Sequence, residues 1–142
     1  MPRSRASELL QAHIRTVMSG YVITATPTDS LVDVAREMAA HDIGAVPVVA
    51  DDNRLLGIVS TTDLMTLLHD AKRLDAMTAG EVMTANPISI DEFATADEAI
   101  GAMRNALIRH LPVTREGRLV GMVTGADLIR HLLKNYPAPD VA

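Results

Sequence analysis

Short apolar runs alternate along this chain with apolar positions at helical spacing, and the order of the two patterns recurs. Leu31, Val34, Ala35 and Met38 fall at i, i+3, i+4 and i+7, as do Ala96, Ala99, Ile100 and Met103. That spacing lines one buried face of a helix. Ser30-Leu31-Val32-Asp33 and Thr95-Ala96-Asp97-Glu98 precede these faces and fit the capping box, in which a hydroxyl satisfies a free helix N–H. Each helix is followed by two β-rich runs around a polar turn, 46–49 then 55–59 and 111–114 then 119–123, which predicts a hairpin. A second helix is expected from about 62 to 71 and again from about 126 to 133. Short strands at 22–25 and 88–90 complete a strand, helix, strand, strand, helix order that occurs twice.

The recurrence is a true repeat of roughly 60 residues. Val17-Met18-Ser19 returns as Val82-Met83-Thr84, Met38 as Met103, and Pro47-Val48 as Pro112-Val113, always 65 residues on. The second polar turn is one residue shorter, so Arg54-Leu55-Leu56-Gly57-Ile58-Val59-Ser60 matches Arg118-Leu119-Val120-Gly121-Met122-Val123-Thr124. Asp63-Leu64 then matches Asp127-Leu128. One three-stranded unit is too small to bury its own apolar face, so two sheets should pack into one core. The division expected is an N-terminal amphipathic helix over 1–15, with Leu9, Leu10 and Ile14 on one face, repeats over 16–75 and 76–134, and a loose tail over 135–142. Within that tail, Pro137 and Pro139 cannot continue a helix.

Composition narrows the function classes. Of 142 residues 48% are hydrophobic but only 2% aromatic, so the core is aliphatic, with eight Met as flexible filler. The chain has no cysteine, which excludes disulfides, thiolate metal sites and cysteine nucleophiles and agrees with a cytoplasmic setting. Thirteen Lys and Arg against 18 Asp and Glu give a net charge of −5, with no basic stripe for nucleic acid. No apolar run approaches the length that spans a bilayer. His13, His41, His69, His110 and His131 form no HExxH or acidic cluster, so no metal site is expected. There is no nucleophile with an evident base and no phosphate-binding glycine loop, and the chain reads as a protein other than an enzyme.

The Val-Met-Ser/Thr entry, the Pro-Val strand and a Gly-h-h-[Ser/Thr]-x-x-Asp string (h apolar) before the last helix each occur twice, in order and at matched spacing. The string appears as Gly57-Ile58-Val59-Ser60-Thr61-Thr62-Asp63 and as Gly121-Met122-Val123-Thr124-Gly125-Ala126-Asp127. On these motifs the chain resembles a pair of CBS domains (cystathionine-β-synthase-type repeats), a Bateman module, over roughly residues 16 to 133. The resemblance implies an α/β fold of two β-α-β-β-α repeats packed sheet to sheet about a pseudo-twofold axis, with two clefts between them. It also implies binding of an adenosyl nucleotide (AMP, ADP, ATP or S-adenosylmethionine) as a regulatory ligand with no cofactor required, a homodimer, and a regulated partner protein. The expectation is a stand-alone ligand-sensing module; the alternative is a dimerisation or docking module with no nucleotide ligand.

Candidate ligand residues follow. A carboxylate can accept hydrogen bonds from both ribose hydroxyls, and a hydroxyl at a helix N-terminus can meet a phosphate. Ser60 with Asp63, and Thr124 with Asp127, offer that pair, and equally fit plain helix caps. Thr24, Ala25, Ser89 and Ile90 could present backbone groups to an adenine edge. Ala45, Val46, Pro47, His110, Leu111 and Pro112 could wall the ring, or simply pack as core. The slot before each motif aspartate, often basic in the family, holds Thr62 or Ala126. Arg109, where the first repeat has Gly44, could supply the missing charge together with His110, or stand solvated.

Overall fold

The computed structural model describes residues 5–136. Residues 1–4 of the expected N-terminal helix, and the tail from 137 onward, lie outside the described residues. The elements are α1 (Arg5–Leu10), α2 (Leu31–His41), β1 (Ala45–Val49), β2 (Leu55–Ser60), α3 (Thr61–His69), α4 (Ala79–Val82), β3 (Thr84–Ala85), β4 (Ile90–Asp91), α5 (Ala96–Ala106), β5 (His110–Arg115), β6 (Arg118–Thr124) and α6 (Gly125–Leu132). Short 3₁₀ turns occupy Ile14–Thr16, Leu74–Ala76 and Leu133–Asn135.

The helical periodicities hold. Leu31, Val34 and Met38 of α2 are buried, as are Ala96, Ala99 and Met103 of α5. Both helices stop on a left-handed residue, Asp42 (φ 51°) and Leu107 (φ 56°), whose N–H donates to Met38 O and Met103 O. Those reversals turn the chain into the central strands. The expected capping box at Ser30 does not form: its side chain makes no capping bond, and Asp33 pairs with Arg36 at 3.3 Å. Thr95 does cap, accepting from Glu98 N at 3.1 Å.

Each hairpin is central to its own sheet, ordered β1-β2-β3 and β4-β5-β6. The first strand of repeat one shrinks to a single parallel bridge, Ala25 to Val48. Thr26 N–H donates instead to the Asp29 carboxylate at 2.8 Å, which takes the chain off the ladder. Its counterpart β4 pairs in parallel with β5 at Ile90–Val113.

The far edges are exchanged between repeats. Thr84, in the entry to repeat two, pairs with Ile58 of repeat one, and Ser19 of repeat one bridges Met122 of repeat two. Accordingly Ile14, Val17 and Met18 pack in the core of the second repeat, and Ala79, Val82 and Met83 in that of the first. The same exchange shortens the expected N-terminal helix. After Leu10 the chain pairs at His13 with Thr95, and Ile14 and Arg15 donate their N–H groups to Ala94 O (2.7 Å) and Glu92 O (2.9 Å) rather than back along a helix. A buried His131 in α6 fastens α1, its Nε2–H donating to Leu9 O at 2.8 Å.

The crossing entries explain the glycine of the motif. A Cβ at Gly57 would run into the Met83 side chain and stand 2.9 Å from Thr84 O; one at Gly121 would meet Met18 and stand 2.8 Å from Ser19 O. Only a residue without a side chain lets the exchanged strand lie that close.

The two repeats meet at their hairpin turns through a reciprocal pair of bonds, Leu55 N–H to Gly117 O and Leu119 N–H to Asn53 O, each 3.0 Å. Every position in one bond maps onto the other by the repeat offset, which is what a pseudo-twofold axis through the Arg54–Arg118 bridge requires. Alternation along β1 sends Val46 and Val48 to the helix-side core, while the buried Ala45, Pro47 and Val49 take the opposite face.

Candidate functional site

Two clefts open on that opposite face. The larger, ≈ 1050 Å³, is bounded by the start of α3 (Ser60 to Asp63), by Asn86, Pro87 and Ile88 of the second entry, by 107–110, and by the start of α6. The smaller, ≈ 360 Å³, is bounded by Asp127 and Thr124, by Tyr21, Val22 and Ile23 of the first entry, and by 41–44. The repeat offset carries most of one wall set onto the other.

The cap and ligand readings of the motif aspartates resolve at the level of single oxygens. Asp63 Oδ2 accepts from Ser60 N (2.8 Å) while Ser60 Oγ accepts from Asp63 N (3.3 Å); Thr124 and Asp127 form the same box at 2.9 and 3.1 Å. Both are complete capping boxes. The remaining oxygens differ. Asp127 Oδ1 accepts from Arg130 at 2.6 Å. At the position equivalent to Arg130 the first repeat has Thr66, whose hydroxyl bonds its own helix at Thr62 O. Among the described residues Asp63 Oδ1 therefore has no protein donor and faces the larger cleft.

His110 belongs to the walls of both clefts. A Cβ on Gly44 would lie 2.9 Å from its Cε1 and Nε2. The bare glycine is what lets the imidazole of the second repeat lie across the first. Burial of the half-buried ring, and then the Arg109 charge beside it, hold its pKa below the usual histidine value. Thr61 N–H and Oγ1 both donate to Gly44 O, at 2.9 and 3.1 Å. That ties the strand start to the helix that carries Asp63.

Of the residues predicted from sequence, Ala45, Ser60, Thr62, Asp63, Arg109, His110, Pro112 and Thr124 line the larger cleft, and Ala45, His110, Thr124 and Asp127 the smaller. Others are not brought there. Val46 and Leu111 point into the helix-side cores, because the two-residue period of a strand opposes them to Ala45, His110 and Pro112. Ala25 is core, Ile90 packs against the second core, and Pro47 is buried off both clefts. Thr24 and Ser89 are exposed and line neither cleft. The entry residues that do, Tyr21 to Ile23 and Asn86 to Ile88, lie just ahead of those proposed. The Arg130/Thr66 difference was visible as an i+3 cation beyond one aspartate only.

A family model described as CBS domain matches residues 14–70 and 79–134. Hypoxic response protein 1 of Mycobacterium tuberculosis is 37% identical over 120 residues, 83% of each chain. A crystal structure of Hypoxic Response Protein I with two coordinated zinc ions superposes with a TM-score of 0.77 at 34% identity over 84% of this chain and 98% of that one. Among the described residues here, no group of three or more His, Cys, Asp or Glu is placed to hold a metal ion. The CBS domain pair of protein MJ0100, in complex with 5′-methylthioadenosine and S-adenosyl-L-methionine, gives a TM-score of 0.76 at 29% identity, covering 84% of this chain and 94% of that one. The family model covers both repeats, and this chain belongs to the CBS domain family as a tandem CBS pair.

Proposed function

We propose that this chain is a regulatory module that binds an adenosyl nucleotide between its CBS repeats and signals the occupancy to a partner protein. The observation that carries the reading is Asp63. It is a carboxylate fixed by its capping box, with one oxygen free toward a cleft large enough for a nucleotide. Adenosyl ligands in the MJ0100 pair support the ligand class. Signalling requires the ligand to favour one arrangement of the repeats over another, and the cleft walls come from both. The sequence offers no nucleophile with an evident base for a catalytic reading. Homodimerisation in the cytoplasm belongs to the same reading. Exposed Met65 and Leu68 on α3, with Ile129 on α6, offer apolar surface for a second copy, and no helix among the described residues is long and apolar enough to cross a membrane.

A second reading, docking without a ligand, is favoured by one fact: both aspartates already serve as helix caps. Thermal melting with AMP, ADP, ATP and S-adenosylmethionine separates the two. A ligand at a hundred times its dissociation constant adds about 2.7 kcal/mol, a rise on the order of 5–10 °C for a domain of this size. A flat response to all four leaves the docking reading.

A further inference from the structure

The two repeats also differ away from the clefts, where α1 packs on α6. In repeat one, Leu67 and Leu74 both pack against the first core. The repeat offset carries Leu74 onto Leu9 but Leu67 onto His131, so an imidazole stands in a leucine's seat. His131 is 7% exposed. Its Nε2–H donates to Leu9 O at 2.8 Å, while Nδ1 is buried with no hydrogen-bond partner among the described residues. An unpaired buried acceptor is destabilising, and a leucine would carry no such penalty. What the histidine adds is a bond to the backbone of α1.

α1 is seated lightly enough to open by itself. It spans six residues, too few to stay helical once off its seat, and Leu9 is its one buried side chain. Directly after it the chain is fixed: Ala12 O accepts from Ala96 N at 2.9 Å, and the fully buried Ile14 donates to Ala94 O at 2.7 Å. Opening therefore hinges at Gln11, and it lets water reach Nδ1 and satisfy it. The latch lies on α6, whose other end frames the clefts. Gly125 and Ala126 line the larger, and Thr124 and Asp127 the smaller. His131 stands four residues beyond Asp127, on the same helix face. We propose that α1 is a strap that opens and closes on the second repeat, latched by His131, and that α6 carries the state of the cleft to that latch.

Hydrogen exchange of the full chain, read residue by residue by NMR, tests this. Gln11 N–H, bonded to Ser7 O and Glu8 O at 3.2 Å, reports the strap, and Ile14 and Arg15 N–H report the anchored chain beyond the hinge. The expected wild-type result is exchange of Gln11 through local opening, at a rate unmoved by low urea, with Ile14 and Arg15 far slower. His131→Leu should speed Gln11 exchange about five-fold, as loss of one hydrogen bond would, without lowering the midpoint of urea unfolding. His131→Gln, which can keep a donor toward Leu9 O, should restore most of the protection. A residue that merely packs would move the midpoint and Gln11 together. For the coupling, Thr124→Ala removes the cap at the cleft end of α6 and should speed Gln11 exchange about two-fold or more. Ser60→Ala, the same change on α3, should leave it alone. Exchange of Gln11 only through global unfolding, an unchanged rate in His131→Leu, or a fallen midpoint in that variant overturns the latch. Equal effects of Thr124→Ala and Ser60→Ala overturn the coupling. All of these readouts are taken without nucleotide, so failure of the strap and failure of the adenosyl reading are separate results.

Discussion

His110 stands where the two clefts share a wall, and its environment makes it sensitive to pH. Burial and the neighbouring Arg109 both disfavour the imidazolium, so the folded chain has a lower pKa at this ring than the ordinary 6.5. Asp63 across the larger cleft, and Tyr21, His41, Asp42 and Asp127 across the smaller, are the other ionisable groups around it. The sign follows from proton binding. Between the lowered folded value and 6.5 the unfolded chain holds more protons, so stability is complete above about pH 6.5 and is lost as the pH falls through that window. Melting followed from about pH 8 to about pH 5 should show a fall that is smaller in His110→Asn. Coincident slopes would mean that the acid sensitivity lies elsewhere. Sequence comparison of the repeats exposed the Gly44/Arg109 divergence but not its cause. Residue 44 has no side chain because an imidazole from the other repeat occupies its space.

At the level of elements, helix faces and hairpins were legible because their signals are periodic and local: α2, α5 and both hairpins form where apolar spacing put them. What was not legible is which sheet each entry strand joins. Met18 and Met83 show only that an apolar residue is wanted; that each serves the opposite repeat depends on contacts between residues far apart in sequence. The motif glycines held the clue. At Gly121 an added methyl meets the Met18 side chain and stands 2.8 Å from Ser19 O, a backbone atom that cannot rotate away. At Gly101, inside α5, nothing lies within 4 Å. The same substitution should therefore have opposite signs. Gly121→Ala is expected to destabilise by about 1–3 kcal/mol, and Gly101→Ala to stabilise by about 0.5–1 kcal/mol through helix propensity. Urea unfolding of both variants measures this; equal and opposite deviations from these signs would mean the exchanged entry is not packed as described.

Over the whole molecule, the reciprocal bonds at the hairpin turns join the repeats, and Asn53 is their keystone. It occupies left-handed backbone at φ 69°, accepts from Leu119 N–H at 3.0 Å, and donates from Nδ2 to Leu119 O at 2.6 Å. The second repeat reaches the equivalent conformation with Gly117 at φ 80° and no side chain, so the junction is symmetric in backbone and asymmetric in side-chain bonding. Pseudo-twofold pairing was implied by the family resemblance; this anchoring was not, since the one-residue difference in turn length hides which residues oppose each other. Asn53→Gly keeps the backbone conformation and loses the amide, while Asn53→Ala loses both. The expected costs are about 1 kcal/mol for the hydrogen bond and about 1–2 kcal/mol more for the left-handed backbone, so Ala should be the worse of the two. Amide exchange at Leu119 should quicken in both variants, and at Leu55 mainly in Asn53→Ala. Because the clefts take walls from both repeats, a nucleotide that fixes their arrangement should slow exchange at both amides in the wild type. If Leu55 and Leu119 exchange unchanged when ligand is bound, occupancy is not transmitted to the junction, and signalling must run through the α3 and α6 faces instead.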